Sequence, residues 1–88
     1  MKTSITFNLK NYYNTDILAG LTDWELFARL RKIFDTCPGA VSSPQMDNAG
    51  RIKQPRINRE LWKAQRSGAG VIVEHVARRG YTAITFTF

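Results

Sequence analysis

The residues best suited to chemistry are arginines and lysines that recur at helical spacing between residues 56 and 67. At roughly 100° per residue, these cations project within one arc of about 80°; they are Arg56, Arg59, Lys63 and Arg66. Three apolar residues fall in a second arc about 150° away; they are Ile57, Leu61 and Ala64. A helix over 56–67 therefore has an apolar face for the core and an opposite face for phosphates and base edges.

The net charge of the chain is concentrated near this segment. The sequence has 13 Lys and Arg against 7 Asp and Glu, a net charge of +6. Residues 1–50 hold five of each sign, whereas residues 51–88 hold eight basic residues and two acidic ones. Such a surplus indicates a polyanionic partner, most often nucleic acid. The predicted contact residues are Arg51, Lys53, Arg56, Asn58, Arg59, Lys63, Arg66, Arg78 and Arg79.

Length and composition exclude several classes of protein. A chain of 88 residues and 10.0 kDa predicts one domain over 1–88 and leaves no room for separate cofactor and substrate domains. Residues 1–20 lack a signal-peptide pattern, and no run of residues is apolar enough to span a membrane. The single Cys37 cannot form an intramolecular disulfide, which favours the cytoplasm. One cysteine and His75 give no zinc-site pattern, so we expect neither a metal nor a cofactor.

Local signals predict an α+β domain with two or three helices. Alternating apolar residues predict a strand over 3–9, and the capping box of Thr22 and Glu25 predicts a helix over 23–36. Ser43-Pro44 and Gly50 are start and stop signals for a short helix over 44–49.

The last two β-rich runs, 71–76 and 81–88, predict a hairpin and hence an antiparallel sheet of two or three strands. Arg78-Arg79-Gly80 fits a three-residue loop with a type I turn and a G1 bulge. In that register Ile72 and Val76 share the core face with Ile84 and Phe86. Glu74 falls on the same face, which conflicts with the apolar residues expected on a core-facing side of a strand.

A basic helix followed by a hairpin with a cationic tip resembles the winged helix-turn-helix family over roughly residues 22–88. The resemblance implies a recognition helix in the major groove, with contacts from Arg56, Asn58, Arg59, Lys63 and Arg66. It also implies that a wing formed by Arg78 and Arg79 touches the DNA backbone or the minor groove. The long 37–55 connection departs from the family's tight turn. We therefore expect a winged-helix-like regulator or DNA-transaction factor that binds duplex DNA, as a monomer or a homodimer.

Two other hypotheses on the function stay open. The size, charge and element order also resemble those of RelE-type ribonuclease toxins. This resemblance implies a ribonuclease site formed by Arg78, Arg79, His75 and Tyr81. The sequence lacks the final strand that such toxins usually have. The third reading is a small phage-type inhibitor that docks on a host protein through Trp62, Tyr12 or Tyr13. Both tryptophans, Trp24 and Trp62, are nevertheless expected in the core or at its edge.

Overall fold

The computed structural model describes residues 2–11 and 18–88, so the candidate anchors Tyr12 and Tyr13 lie outside the described residues. Within these ranges, the chain forms two helices and a four-stranded antiparallel sheet of order β2-β1-β4-β3. The elements are β1 (Ser4–Lys10), α1 (Asp23–Thr36), β2 (Val41–Ser42), α2 (Pro55–Ser67), β3 (Ile72–Arg78) and β4 (Tyr81–Thr87). The α+β class is confirmed, and β2 adds a strand that the sequence pattern did not predict.

The core lies between one face of the sheet and the helices. Strand β1 buries alternate residues, and β4 turns Ile84 and Phe86 to the same side. Phe7 of β1, Phe27 of α1 and Phe86 meet edge to face, with ring centroids 5.2 to 6.0 Å apart. These rings are almost completely buried, and each contributes roughly 1.5–3 kcal/mol by leaving water. The aromatic cluster therefore anchors α1 to the central strands.

The predicted capping box and the predicted bounds of α1 are confirmed. The Thr22 hydroxyl oxygen accepts a hydrogen bond from the Glu25 backbone N–H at 3.4 Å. In return, the Glu25 carboxylate accepts one from the Thr22 backbone N–H at 3.2 Å. The helix ends at Cys37, whose N–H donates to the Ile33 carbonyl at 2.7 Å.

The predicted helix over 44–49 is wrong. This segment consists of turns, closed by an isolated bridge between Met46 and Ile52. The Asp47 carboxylate accepts a hydrogen bond from the Arg51 backbone N–H at 2.9 Å, and the Asp47 N–H donates to the Arg51 carbonyl at 2.9 Å. An Asp side chain that binds the backbone ahead of it competes with helix formation. The turn around Asp47 therefore forms in place of the helix that Ser43-Pro44 and Gly50 predicted.

Side chains that follow β2 extend the pairing along the edge of β1. The Ser43 hydroxyl donates to the Thr6 carbonyl at 2.7 Å. The Gln45 side-chain oxygen accepts from the Thr6 backbone N–H at 3.2 Å. Strand β2 itself is only two residues long, so these two side chains satisfy backbone groups that a longer strand would pair.

The predicted three-residue hairpin loop is wrong, because Arg78 pairs directly with Tyr81. Only Arg79 and Gly80 form the loop, and Gly80 has a φ of 85°, which glycine adopts without strain. A shift of one residue moves every side chain of a strand to the other face of the sheet. The predicted faces of β3 are therefore reversed.

In the observed register, Val73 pairs with Phe86 and His75 with Ile84 on the helix-covered face. The opposite, open face carries Ile72, Glu74 and Val76. This arrangement removes the conflict over Glu74, which is exposed rather than directed at the core.

The winged-helix-like description applies only loosely. A basic helix does precede a β-hairpin, as in that family's order of elements. The two helices, however, are separated by β2 and by the turn around Asp47, so they do not form a tight helix-turn-helix pair.

Candidate nucleic-acid interface

Helix α2 forms where the sequence predicted it, one residue longer at the start. Pro55 occupies the first turn, where a missing N–H costs nothing, and the helix ends at Gly68 in the left-handed conformation, with φ 68°. One face is buried against the rest of the protein; its residues are Ile57, Leu61 and Ala64. The opposite face is consequently left to the solvent.

The solvent face of α2 carries all the cations predicted for this helix. The exposed residues are Arg56, Asn58, Arg59, Lys63 and Arg66. The Lys63 ammonium lies 3.7 Å from the Glu60 carboxylate, but its side chain remains 68% exposed. A surface ion pair of this kind contributes about 0–1 kcal/mol, so it does not prevent Lys63 from meeting a phosphate. We call this set the basic face of α2.

A shallow groove of about 660 Å³ runs along the basic face. Its lining residues are Arg59, Trp62, Lys63, Arg66 and Ser67. Trp62 is 61% exposed, so the expectation that it belongs to the core or its edge is wrong. It lies three residues after Arg59 and four before Arg66, on the flank of the helix next to the basic face. Trp24, by contrast, packs at the core edge as expected, 6.2 Å from Phe27 and from Phe88 between ring centroids.

Arg51 and Lys53 are exposed in the connection before α2. Arg51 lies in a different groove, shared with residues at the end of α1, among them Arg31 and Asp35. Its guanidinium Nε is 3.2 Å from the Asp47 carboxylate. The Arg51 backbone N–H, aided by the guanidinium, lowers the pKa of Asp47 below its ordinary value of 3.8. Arg51 is therefore engaged in the turn before α2 and does not line the Trp62 groove.

The hairpin tip forms a second group of cations. Tyr81 is paired with Arg78 on one side and with Lys10 of β1 on the other. Direct partners in an antiparallel sheet point to the same face, so these three side chains form a row across the open face. Arg79, also exposed, follows in the loop. Lys10 has no predicted role, because only the register of β1 and β4 brings it beside Tyr81.

The start of the basic face and the hairpin tip lie at opposite ends of the sheet. The start of α2 is near the start of β1, since Lys2, Ser4 and Arg56 line a common groove of about 200 Å³. Ser4 pairs with Thr87, which in turn pairs with Ile72. From that end, the seven residues of β3 carry the chain about 20 Å to the tip. Lys2 is a second cation that the sequence pattern missed.

The residues proposed for a ribonuclease are divided between the two faces of the sheet. His75 is on the helix-covered side, where it lines a cavity of about 330 Å³ with Leu18 and Ile84. Tyr81 and Arg78 are on the open side. In residues 2–11 and 18–88, no three His, Cys, Asp or Glu side chains are grouped so that they could hold a metal ion.

The described helices include none with the length and apolar character needed to cross a membrane. The chain matches no protein-family model, no curated protein and no solved structure.

Proposed function

We propose that this protein binds nucleic acid, with duplex DNA as its ligand, through the basic face of α2. The observation that carries the proposal is the division of this helix into two sides. Ile57, Leu61 and Ala64 are buried, while the opposite side exposes the four cations of the basic face. Surface charge placed only for solubility is expected to intersperse acidic residues, and Glu60 is the only acid in α2.

Binding begins with phosphate contacts. Arginine presents a planar fork that meets two phosphate oxygens at once, and Arg outnumbers Lys three to one on the basic face. Asn58 lies beside these cations and is a side-chain type that pairs with adenine in the major groove. Phosphate contacts position the helix, and a subset of Arg59, Asn58 and Lys63 then reads base edges.

The hairpin tip is proposed as a second contact to the same ligand, made by Arg79 of the loop, because Arg78 points to the open face of the sheet, away from α2. Arg78 and Arg79 are exposed there, about 20 Å along β3 from Ile72. That distance corresponds to about six base pairs of duplex. The charge distribution supports a role in transcription regulation or another DNA transaction. The free Cys37 supports the cytoplasm as its location.

A gel-shift series over increasing salt tests the proposal with duplex DNA, single-stranded DNA and structured RNA. If about five phosphates are contacted, log affinity for duplex falls with log salt at a slope near −4 to −5. The double variant Arg59→Ala/Lys63→Ala should reduce this slope by about 2 and keep the fold, because neither residue is buried.

The matched control is Arg29→Ala/Lys32→Ala, which removes the same charge from exposed positions of α1. It should affect affinity much less than the α2 pair. Equal losses for both pairs would show that general charge, rather than the basic face, attracts the ligand. Two results together would favour the inhibitor hypothesis over this proposal. They are a complex with a host protein that survives nuclease treatment and an affinity for DNA that does not change with salt.

A further inference from the structure

Trp62 is the largest apolar side chain exposed by the described residues, with 61% of its surface accessible. Tryptophan is a highly buried residue on average. An exposed indole beside a charged surface therefore indicates a binding role. The remaining lining of its groove is Arg59, Lys63, Arg66 and Ser67, with no second apolar side chain. The groove therefore combines one flat aromatic surface with three cations.

This combination matches the chemistry of a nucleotide whose base is unpaired. An indole stacks on the face of any nucleobase, and neighbouring cations neutralise the phosphates on either side of it. Bases within an intact duplex are already stacked on each other and do not offer a free face. A base in a single-stranded segment or at the end of a duplex does.

We propose that the groove holds an unpaired nucleobase stacked on Trp62, with Arg59, Lys63 and Arg66 on the adjacent phosphates. This inference rests on the proposed function and narrows its ligand to duplex DNA that carries a single-stranded overhang. The basic face then contacts the duplex, and Trp62 marks where the single strand begins.

A protein anchor is the competing role for an exposed tryptophan. Interface tryptophans that contribute most to affinity are surrounded by other contacts that exclude water, and protein interfaces are enriched in Arg but depleted in Lys. The neighbours of Trp62 in the groove are instead three cations and one hydroxyl. This surrounding favours an anionic ligand with its own aromatic face.

The test compares a blunt duplex with the same duplex carrying a single-stranded overhang, at fixed salt. The overhang should bind more tightly to the unmodified protein. Trp62→Ala should weaken binding of the overhang DNA roughly 5- to 150-fold, and change affinity for the blunt duplex by less than about twofold. Trp62→Phe should keep part of the difference, because a smaller aromatic ring still stacks.

The salt dependence separates stacking from charge. Trp62→Ala removes no charge, so the slope of log affinity against log salt should not change. Lys63→Ala is the matched control on the same groove, and it should reduce the slope by about 1 for both DNAs. In a Trp24→Phe background, Trp62 is the only tryptophan, and its fluorescence should be quenched by the overhang DNA.

The outcomes distinguish this inference from the proposed function. If both DNAs bind equally, and Trp62→Ala weakens neither, the stacking site is wrong while duplex binding through α2 stands. If neither DNA binds even at low salt, the proposed function itself fails. If Trp62→Ala abolishes binding of a host protein and leaves overhang binding unchanged, the groove is a protein interface. The affinity comparison keeps the native Trp24, so it does not depend on how the Trp24→Phe background folds.

Discussion

Arg78 and Tyr81 are direct partners across the β3–β4 turn, with only Arg79 and Gly80 between them. This pairing sets the register of the whole hairpin. It places Arg78 beside Tyr81 on the open face, and His75 beside Ile84 on the helix-covered face. One local turn thus decides which side chains of β3 can act together at a surface.

Gly80 makes this short turn possible, so Gly80→Ala should destabilise the protein by about 1–2 kcal/mol. The glycine has a φ of 85°, where a Cβ is strained, yet an added Cβ would meet no atom within 4 Å. The cost is therefore one of backbone conformation rather than of collision. Urea unfolding measures it, and Gly70→Ala is the control, because Gly70 lies in equally open space without a left-handed φ. Equal effects of the two substitutions would contradict this account of the turn.

Glu25 should titrate below its ordinary pKa of 4.5, because Thr22 stabilises its charged form. The Thr22 hydroxyl donates to the Glu25 carboxylate at 2.7 Å, and the Thr22 backbone N–H donates at 3.2 Å. Since the folded-state pKa is lowered, this contribution to stability is fully present above pH 4.5. It is lost as the pH falls through the lower folded-state pKa.

The measurement is an NMR titration of the Glu25 carboxyl carbon. Thr22→Val removes the hydroxyl and should raise the pKa of Glu25 toward its ordinary value. Thr36→Val, at the other end of α1, removes a hydroxyl that donates to the Lys32 carbonyl, and it should leave the Glu25 titration unchanged. If the pKa of Glu25 is the same in Thr22→Val as in the unmodified protein, the capping box does not form these hydrogen bonds in solution.

The helices were predictable from the sequence because their signals are local. The Thr22 capping box and the residues that stop α1 act within a few positions, and the apolar arc of α2 needs only helical spacing. The hairpin loop was not predictable in the same way, since Arg78-Arg79-Gly80 is compatible with loops of either length. The position of Glu74 on the supposed core face was the one sign that the register was shifted.

Other features depend on contacts between distant parts of the chain. Strand β2 is two residues long and has no periodic pattern, so only its pairing with Asn8 and Leu9 defines it. Lys10 joins the hairpin tip solely through its pairing with Tyr81. The prediction for Trp62 was wrong because its size and apolarity favour burial, whereas helical spacing places it only on the flank between the apolar and basic arcs.

The separation between the basic face and the hairpin tip leads to a last prediction, which concerns the length of the ligand. Arg56, at the start of the basic face, lies near the end of the sheet from which β3 carries the chain about 20 Å to the hairpin tip, a length of about six base pairs of duplex. On a duplex of about twelve base pairs, Arg78→Ala/Arg79→Ala should reduce the salt slope by about 1, as expected for the lost phosphate contact of Arg79.

On a hairpin stem of about four base pairs, roughly 14 Å long and therefore too short to reach both groups, the same variant should bind nearly as well as the unmodified protein. Arg59→Ala/Lys63→Ala should weaken binding to both lengths, because the basic face is the main contact. On the longer duplex, the two double variants should have free-energy effects that add within about 0.5 kcal/mol, since sites this far apart share no partners. If the tip variant weakens binding equally at both lengths, the tip and the helix contact the same stretch of DNA. If it weakens neither, Arg78 and Arg79 protect the end of the hairpin and do not bind the ligand.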